Sequence, residues 1–196
     1  FAVIPGVSPI VQIEWAMNLG STGTPSAGWG IDVYDDSLPI ARRISAVIVD
    51  NAGFLKVWNG TAFFNTSMVV SRDSWHVLKL NMNYSVGVRK VSLYLDGVRV
   101  ANGLGFSSGT SDTIADVDLY NIDGGGSDAT YYDDLRIVAL ADSDADGVPD
   151  PDDLCPVTAG AAPVDGNGCS TLDDDGDGVN NDVDLCANTP ACANAV

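Results

Sequence analysis

Histidine and glutamate are almost absent from this chain of 196 residues, which has one of each, His76 and Glu14. With a single Glu there is no Glu-x-Asp-x-Glu run, so the usual carboxylate pair of glycoside-hydrolysing sandwiches is missing. No Gly-x-Ser-x-Gly motif occurs either, and a Ser-His-Asp triad would need Ser74 or another serine to align with the only histidine. These absences predict that the chain is not an enzyme and that His76 packs or hydrogen-bonds within a strand.

Positive charge is also scarce, with 9 Lys+Arg against 27 Asp+Glu and a formal net charge of −18. All nine bases lie in residues 1–140, whereas residues 141–196 hold 13 Asp and no base. Such an acidic surface repels nucleic-acid phosphates and anionic lipids, and no apolar run approaches the roughly 18–20 residues of a membrane span. We therefore expect no nucleic-acid partner, no membrane insertion, and two domains divided at about residue 140.

Helical periodicity is missing, since no window of about 11 or more residues keeps an apolar period of 3.6. Apolar and polar residues instead alternate over 11–19, which is typical of a half-buried strand. The pair Asp96–Gly97 between two alternating runs predicts a type I′ hairpin, because both turn positions need positive φ. Similar runs place ten strands at about 11–19, 29–35, 44–50, 53–58, 61–66, 75–84, 90–95, 98–102, 114–121 and 131–139. Their number and the turns between them predict an all-β fold, an antiparallel β-sandwich.

Cysteine is confined to the acidic part of the chain, at Cys155, Cys169, Cys186 and Cys192. An even set in a short segment with a weak core is typical of a disulfide framework, and hence of an oxidising compartment. None of the four shows the spacing of a zinc knuckle, and the carboxylate surroundings suit hard cations better. We expect a secreted or cell-surface protein, with three disulfide connectivities open.

Residues 141–196 contain two copies of a sequence repeat, of which one begins at Asp142 and the other at Asp173. Both copies follow the pattern D-x-D-x-D-G-x-x-[D/N]-x-x-D-x-C, and Ca²⁺ takes six to eight oxygen ligands. Carboxylates at positions 1, 3, 5 and 12, a carbonyl at position 7 and a side chain at position 9 would supply them, while glycine at position 6 permits the sharp turn. The predicted ligands are Asp142, Asp144, Asp146, Val148, Asp150 and Asp153 in one copy, and Asp173, Asp175, Asp177, Val179, Asn181 and Asp184 in the other.

The repeats differ from EF-hands, because position 12 is Asp and no helix-forming segment flanks either copy. Further carboxylates at Asp152, Asp174 and Asp182 leave room for more than one ion per repeat. A disordered acidic linker is an alternative interpretation, but charge repulsion alone does not produce a repeat in register. A segment ordered by Ca²⁺ and serving as a spacer is the preferred interpretation.

The acidic part resembles thrombospondin type 3 repeats in the form found in bacterial surface and secreted proteins. The resemblance covers residues 142–190 and includes Cys155–Pro156 and the run Val164–Cys169. It implies two Ca²⁺ ions per repeat and a disulfide between Cys155 and Cys169, which leaves Cys186 with Cys192. Ala187 follows Cys186 where the repeats usually have proline.

Residues 1–140 resemble the concanavalin-A-like/laminin-G-like jelly-roll domain. The resemblance rests on the run Trp75–Asn81, the hairpin Val91–Gly97 and the closing strand Tyr132–Ile137. It implies a jelly-roll β-sandwich that binds glycans or proteins, often with calcium, and some such domains cleave glycosides.

Sugars are bound by aromatic faces flanked by amides and carboxylates. The candidate ligand-binding residues are Trp29, Tyr34 and Trp58, followed by Phe64, Tyr131 and Tyr132. Trp15, Phe63 and Trp75 are expected in the core. Gln12, Glu14 and Asn18 project from the polar side of the first strand and are expected to line its sheet.

Taken together, the sequence predicts a non-catalytic, calcium-binding extracellular module that binds a carbohydrate or acts in adhesion. The repeats would form a rigid spacer within a larger protein that has further domains, and the partner would be a glycan or an extracellular protein. Two alternatives are a structural subunit of an extracellular assembly and an accessory domain of a secreted polysaccharide-degrading enzyme.

Overall fold

The computed structural model describes residues 10–20, 28–35, 42–84, 89–110, 113–122, 130–158, 163–182 and 184–185. This part of the chain forms ten strands and no helix, so it contains no helix that could cross a membrane. The strands are β1 (Ile10–Leu19), β2 (Gly28–Asp35), β3 (Arg42–Val49), β4 (Phe54–Trp58), β5 (Phe63–Val69), β6 (Trp75–Asn83), β7 (Lys90–Leu95), β8 (Val98–Gly105), β9 (Asp116–Ile122) and β10 (Thr130–Leu140). All ten predicted strands are confirmed.

The strands form two five-stranded sheets that pack as an antiparallel β-sandwich. Sheet A has the order β10-β1-β6-β7-β8, and sheet B has the order β5-β4-β3-β2-β9. In sheet A, β1 pairs with β6 and β6 with β7, both antiparallel. In sheet B, β2 pairs with β3 and β9, again antiparallel. The predicted all-β sandwich is therefore confirmed.

The core lies between the sheets because alternate side chains of a strand project to opposite faces. In β1 the odd-numbered residues from Val11 to Leu19 are at most 1% exposed. Trp15 of sheet A and Trp29 of sheet B are the largest fully buried side chains. The even-numbered residues of β1, Gln12 and Glu14 among them, face away from this core. We call the side of sheet A that carries them its outer face.

The turn between β7 and β8 has the predicted type I′ conformation. Asp96 has a φ of 50° and Gly97 a φ of 81°, which are the two positive values that this turn requires. The Asp96 amide also donates a hydrogen bond of 2.8 Å to the Val77 carbonyl of β6. The turn is thus tied to the first residues of the neighbouring strand.

The chain divides into two compact units, Phe1–Ala139 and Leu140–Val196. The second unit has little regular secondary structure where it is described, apart from a bridge between Val164 and Ser170. A disulfide joins Cys155 and Cys169, as the resemblance to thrombospondin repeats implied. The predicted partners Cys186 and Cys192 lie outside the described residues.

Candidate metal centre and ligand-binding faces

Each repeat of the second unit gathers three aspartates whose carboxylate oxygens lie within 4.8 Å of one another. In the first loop (residues 142–153) they are Asp142, Asp144 and Asp146, and in the second loop (residues 173–184) they are Asp173, Asp175 and Asp177. These are the predicted ligands at positions 1, 3 and 5. Two acidic clusters that could hold a metal ion are therefore present.

The two loops share a backbone conformation that curls the chain around each cluster. The Gly147 amide donates to Asp142 Oδ2 at 3.1 Å, and the Gly178 amide donates to Asp173 Oδ2 at 2.9 Å. Both glycines are left-handed, with φ of 95° and 91°. The position 7 residue, Val148, donates its amide to Asp146 Oδ1 at 2.7 Å, and the equivalent bond in the second loop is 2.8 Å. The sequence repeat is therefore also a repeat of hydrogen bonds.

The position 9 side chains close the loops. Asp150 Oδ1 accepts a hydrogen bond of 2.7 Å from the Ser143 amide, and Asn181 Oδ1 accepts one of 2.9 Å from the Asp174 amide. In each loop the position 9 side chain thus bonds the backbone of position 2. This contact joins the two ends of the loop, a role that the ligand pattern did not reveal.

The first loop carries an electrostatic imbalance that a cation would relieve. Burial, followed by the charges of Asp144, Asp153 and Asp142, raises the pKa of Asp146 to about 7. Burial is also the main cause that raises the pKa of Asp142. Asp142 Oδ1 and Asp146 Oδ2 are buried and have no hydrogen-bond partner. Buried carboxylate oxygens without donors are costly, so this donor set fits a bound cation.

The second loop is more open than the first. Hydrogen bonds from the backbone amide of Gly178, then from those of Gly176 and Asp177, lower the pKa of Asp173. Val179 is 36% exposed, whereas its counterpart Val148 is 1% exposed. The first loop therefore offers the more enclosed cluster.

A glycine from the disulfide-bonded segment closes over the first loop. Gly168 has a φ of 80°, and a Cβ placed on it would lie 2.1 Å from Asp153 Oδ1 and 2.9 Å from Asp146 Oδ2. Asp153, the position 12 residue, accepts a hydrogen bond from the Cys155 amide at 2.8 Å. The disulfide between Cys155 and Cys169 thus holds Gly168 against two of the predicted ligands.

Asp182 of the second repeat reaches the same region. Its Oδ2 accepts hydrogen bonds from Thr158 Oγ1, at 2.8 Å, and from the Ser170 amide. Thr158 in turn donates its amide to Asp144 Oδ2 at 2.8 Å. Sequence reasoning missed Gly168 and Thr158 because the ligand pattern describes only the residues within a loop. Their proximity to the disulfide was the available signal.

Trp29 does not offer a ligand-binding surface. It is 0% exposed in the core, with the Arg72 guanidinium 5.1 Å above its ring centroid. The prediction that it binds a ligand is contradicted because the alternation of β2 turns it inward together with Ile31 and Val33.

Tyr34 and Trp58 come together around one arginine. Arg43 pairs with Asp32, with Nε 2.7 Å from Oδ1, and the Tyr34 hydroxyl donates to Asp32 Oδ2 at 3.4 Å. The same guanidinium lies 5.3 Å from the Trp58 ring centroid, while Trp58 Nε1 donates to Ser107 Oγ at 2.7 Å. One face of the Trp58 ring and its N–H group are therefore already engaged by the protein.

Polar side chains extend across the outer face of sheet A. In register, Gln12 lies opposite Asn81, which lies opposite Ser92. Gln12 Nε2 donates to Asn81 Oδ1 at 3.1 Å, and Ser92 Oγ donates to Asn102 Oδ1 at 2.7 Å. Asn81 is 2% exposed, and its Nδ2 has no hydrogen-bond partner. Gln12 is 6% exposed, so this part of the face is covered, and the part that is open to a ligand lies at the start of β6, where Trp75 and Val77 are exposed.

A large aromatic ring stands at the end of this face. Trp75 is 53% exposed and lies opposite Asn18 in the register of β6 and β1. The prediction that Trp75 lies in the core is wrong. Leu78 and Leu80 face the core, so the alternation of β6 places the Trp75 side chain on the outer face of sheet A. Among the remaining candidates, Phe64 and Tyr131 are exposed, whereas the Tyr132 hydroxyl is turned inward to the Gly30 carbonyl. Phe63 is half-buried and packs edge-on against Trp58.

No family model and no curated protein match this sequence. Among solved structures, an endo-β-1,4-glucuronan lyase from the fungus Trichoderma reesei is similar with a TM-score of 0.51 and 10% identity, over 71% of this chain and 79% of that chain. A sialidase is similar with a TM-score of 0.47 and 16% identity over 71% of this chain, and this chain covers 14% of it. A SAP-like pentraxin from Limulus polyphemus has a TM-score of 0.40 and 10% identity, over 71% of this chain and 75% of that chain. At these identities the likeness shows the β-sandwich fold.

The comparisons correct one sequence prediction, namely that the chain is not an enzyme. The glucuronan lyase shares the sandwich over most of its length. The prediction rested on the missing carboxylate pair and the missing Gly-x-Ser-x-Gly motif. General acid–base catalysis by histidine or tyrosine requires neither of them. The missing glutamates therefore do not exclude catalysis.

Proposed function

We propose that this chain is an extracellular, calcium-binding recognition module whose sandwich binds carbohydrate on the outer face of sheet A. The second unit would consist of two thrombospondin type 3-like repeats, each binding Ca²⁺, that act as a spacer to further domains of a larger protein. The observation that carries the metal assignment is the pair of buried, unpartnered oxygens, Asp142 Oδ1 and Asp146 Oδ2, in a loop that the second repeat reproduces.

Calcium suits these loops better than other common cations. The clustered ligands are all carboxylate oxygens, whereas zinc sites draw on Cys and His. Magnesium demands a near-ideal octahedron and keeps several waters, but Ca²⁺ accepts six to eight oxygens in flexible geometry. Acidic loops that each hold a further carboxylate, Asp152 in the first and Asp182 in the second, therefore favour Ca²⁺.

Replacing Gly168 tests the geometry of the first site. Gly168→Ala is expected to weaken calcium binding to the first loop by roughly ten-fold or more, because the new Cβ would collide with the Asp153 and Asp146 carboxylates. Gly176→Ala is the matched control, since Gly176 has a similar φ of 75° but nothing lies within 4 Å of its Cβ position. Isothermal titration calorimetry with Ca²⁺ measures both variants. An equal loss of calcium affinity in the two variants would show that the strain of an alanine at positive φ lowers the affinity. The contact of Gly168 with the ligands would then not be the cause.

The carbohydrate assignment is supported by the combination of an exposed ring and polar neighbours on one sheet face. Trp75 offers an open indole surface, on which a sugar ring can stack. Asn18, a half-buried amide, lies beside it across the pair of β1 and β6. The likeness to the glucuronan lyase supports a sandwich of the kind that carbohydrate-active proteins use.

Trp75→Ala is expected to abolish glycan binding, or to reduce it at least ten-fold, because truncating a central aromatic anchor of a binding site costs about 2 kcal/mol or more. Trp58→Ala serves as the control, since Arg43 already covers that ring. The wild type and both variants would be compared on a glycan array, and the affinity for the strongest hit would then be measured. Loss of binding in Trp58→Ala but not in Trp75→Ala would place the site on sheet B instead.

A structural subunit of an extracellular assembly is the second candidate function. It is favoured by Leu154, Val157 and Leu185 of the second unit, which are 74%, 89% and 99% exposed. Exposed apolar side chains of this kind are suited to protein contacts. Calcium-dependent self-association in sedimentation analysis, together with no binding on the glycan array, would favour this function.

A further inference from the structure

The structure aligns a serine, the only histidine and an aspartate at one end of the sandwich. Ser71 Oγ lies 2.8 Å from His76 Nε2, and His76 Nδ1 lies 2.7 Å from Asp96 Oδ2. Ser71 is five positions from His76, and Asp96 is twenty positions from it. Strands β6 and β7 pair antiparallel, with Leu78 opposite Leu95. The start of β6 therefore lies beside the turn that ends β7, which brings the aspartate to the imidazole.

The aspartate is held in place by the hairpin. Asp96 Oδ1 accepts a hydrogen bond of 2.9 Å from the Val77 amide, and the Asp96 amide donates to the Val77 carbonyl at 2.8 Å. Its left-handed φ of 50°, next to Gly97, completes the tight turn. One carboxylate oxygen is thus fixed by the backbone, and the other is left to orient the histidine.

These contacts orient the imidazole so that one ring nitrogen faces the aspartate and the other faces the serine, as a general base requires. A carboxylate only accepts, so Nδ1 carries the proton and donates it to Asp96 Oδ2. In the neutral imidazole Nε2 is then an acceptor, to which the Ser71 hydroxyl donates. The His76 side chain is 14% exposed whereas Ser71 is exposed, so the base is sheltered and the nucleophile is open to a substrate. Serine hydrolases use the same arrangement of a serine nucleophile, a histidine base and an aspartate that orients the histidine. Such a triad is recognised by its geometry and not by its order in the sequence.

We propose that Ser71, His76 and Asp96 form an acyl-transfer site that hydrolyses small carboxylic esters, such as acetyl groups on a polymer. Ser71 Oγ attacks the ester carbonyl carbon while His76 Nε2 takes the hydroxyl proton. The bond from the carbonyl carbon to the alkoxy oxygen then breaks, and His76 gives its proton to the departing alcohol. Water attacks the acyl-serine, passes a proton to His76 and releases the carboxylic acid, and that proton returns to Ser71. Asp96 is a positioning residue throughout.

The site is independent of the carbohydrate-binding face. Alternate residues of β6 project to opposite sides, so the exposed Trp75 and its neighbour His76 face different sides of sheet A. In register, His76 lies opposite the buried Met17, whereas Trp75 lies opposite Asn18. Glycan binding and ester hydrolysis are measured separately, so either proposal can fail while the other stands.

The experiment treats the full chain with a fluorophosphonate probe, maps the labelled residue by peptide mass spectrometry, and measures hydrolysis of p-nitrophenyl acetate. The expected result is a covalent label on Ser71 and an esterase rate that both disappear in Ser71→Ala. His76→Gln should lower the labelling rate by about 10²-fold or more, as expected for the loss of a general base. Ser74→Ala, a serine in the same turn, should label and hydrolyse as the wild type does.

Asp96→Asn tests the positioning role, because asparagine tolerates the same left-handed φ. Its labelling rate at Ser71 should fall at least ten-fold while its unfolding temperature stays close to that of the wild type. An unlabelled Ser71 in the folded wild-type chain, or hydrolysis equal in wild type and Ser71→Ala, would overturn the proposal. An unchanged labelling rate in Asp96→Asn would show that the contacts of Asp96 only fasten the hairpin to β6.

Discussion

Removal of calcium with EDTA is expected to unfold the second unit while the β-sandwich stays folded. Residues 141–196 hold 13 Asp and no Lys or Arg, so without cations the clustered carboxylates repel one another. An ion that binds only the folded form adds about 2.7 kcal/mol to the free energy of unfolding when its concentration is a hundred times its Kd. Two occupied loops would thus supply much of the stability that a segment with so small a core can have.

Limited proteolysis and amide hydrogen exchange would measure this effect. Exchange protection in residues 142–182 should be lost in EDTA and restored by excess Ca²⁺, whereas β1 should keep its protection. All four tryptophans lie in the first unit, so tryptophan fluorescence reports on the sandwich alone and should not change. Retained protease resistance of the second unit in EDTA would contradict the prediction.

The calcium-free state should also depend on pH in a direction set by Asp146. Its pKa in the folded loop is about 7, above the ordinary value of 3.8, so the folded state binds the proton more tightly than the unfolded state. The stabilisation from this proton is therefore fully present below about pH 4 and is lost as the pH rises through 7. Once calcium has been removed and the chelator dialysed away, unfolding of the second unit should accordingly be more complete at pH 8 than at pH 5.5, as amide hydrogen exchange would measure.

The fold was predictable because strand signals are local. Alternation over 11–19 and the pair Asp96–Gly97 depend on neighbouring residues only, and both are confirmed. The same local signal contradicts the expected place of Trp75 in the core. Trp75 and Leu78 are an odd number of positions apart in β6, so alternation sends their side chains to opposite faces of sheet A. Trp75 is outward because Leu78 and Leu80 face the core.

The candidate sites also differ in whether their residues are near one another in the sequence. The aspartates of each loop lie within a few positions of one another, so their spacing alone predicts the clusters. Gly168 reaches Asp146 through the disulfide, and His76 meets Asp96 through strand pairing, so neither contact leaves a pattern in the sequence. A search for local motifs therefore finds metal loops and misses sites assembled by topology.

Trp15→Ala is expected to cost about 3–5 kcal/mol of the free energy of unfolding, the usual penalty for deleting a buried tryptophan. Trp15 is 0% exposed between the sheets, and its Nε1 has no hydrogen-bond partner, so the loss comes from packing and the cavity left behind. Since small domains are stable by about 5–15 kcal/mol, this single change removes a large share of the total.

Trp75→Ala provides the matched comparison within the same sheet, because β1 and β6 are neighbours and the residue type is identical. Trp75 is 53% exposed, and its deletion should cost less than about 1 kcal/mol. Urea unfolding of both variants with saturating calcium, followed by circular dichroism, gives the two free energies directly. Similar losses would mean that Trp75 packs against the protein and is not available for a sugar. A large loss for Trp15→Ala alone would show that alternation in β1 separates the structural tryptophan from the one on the open face.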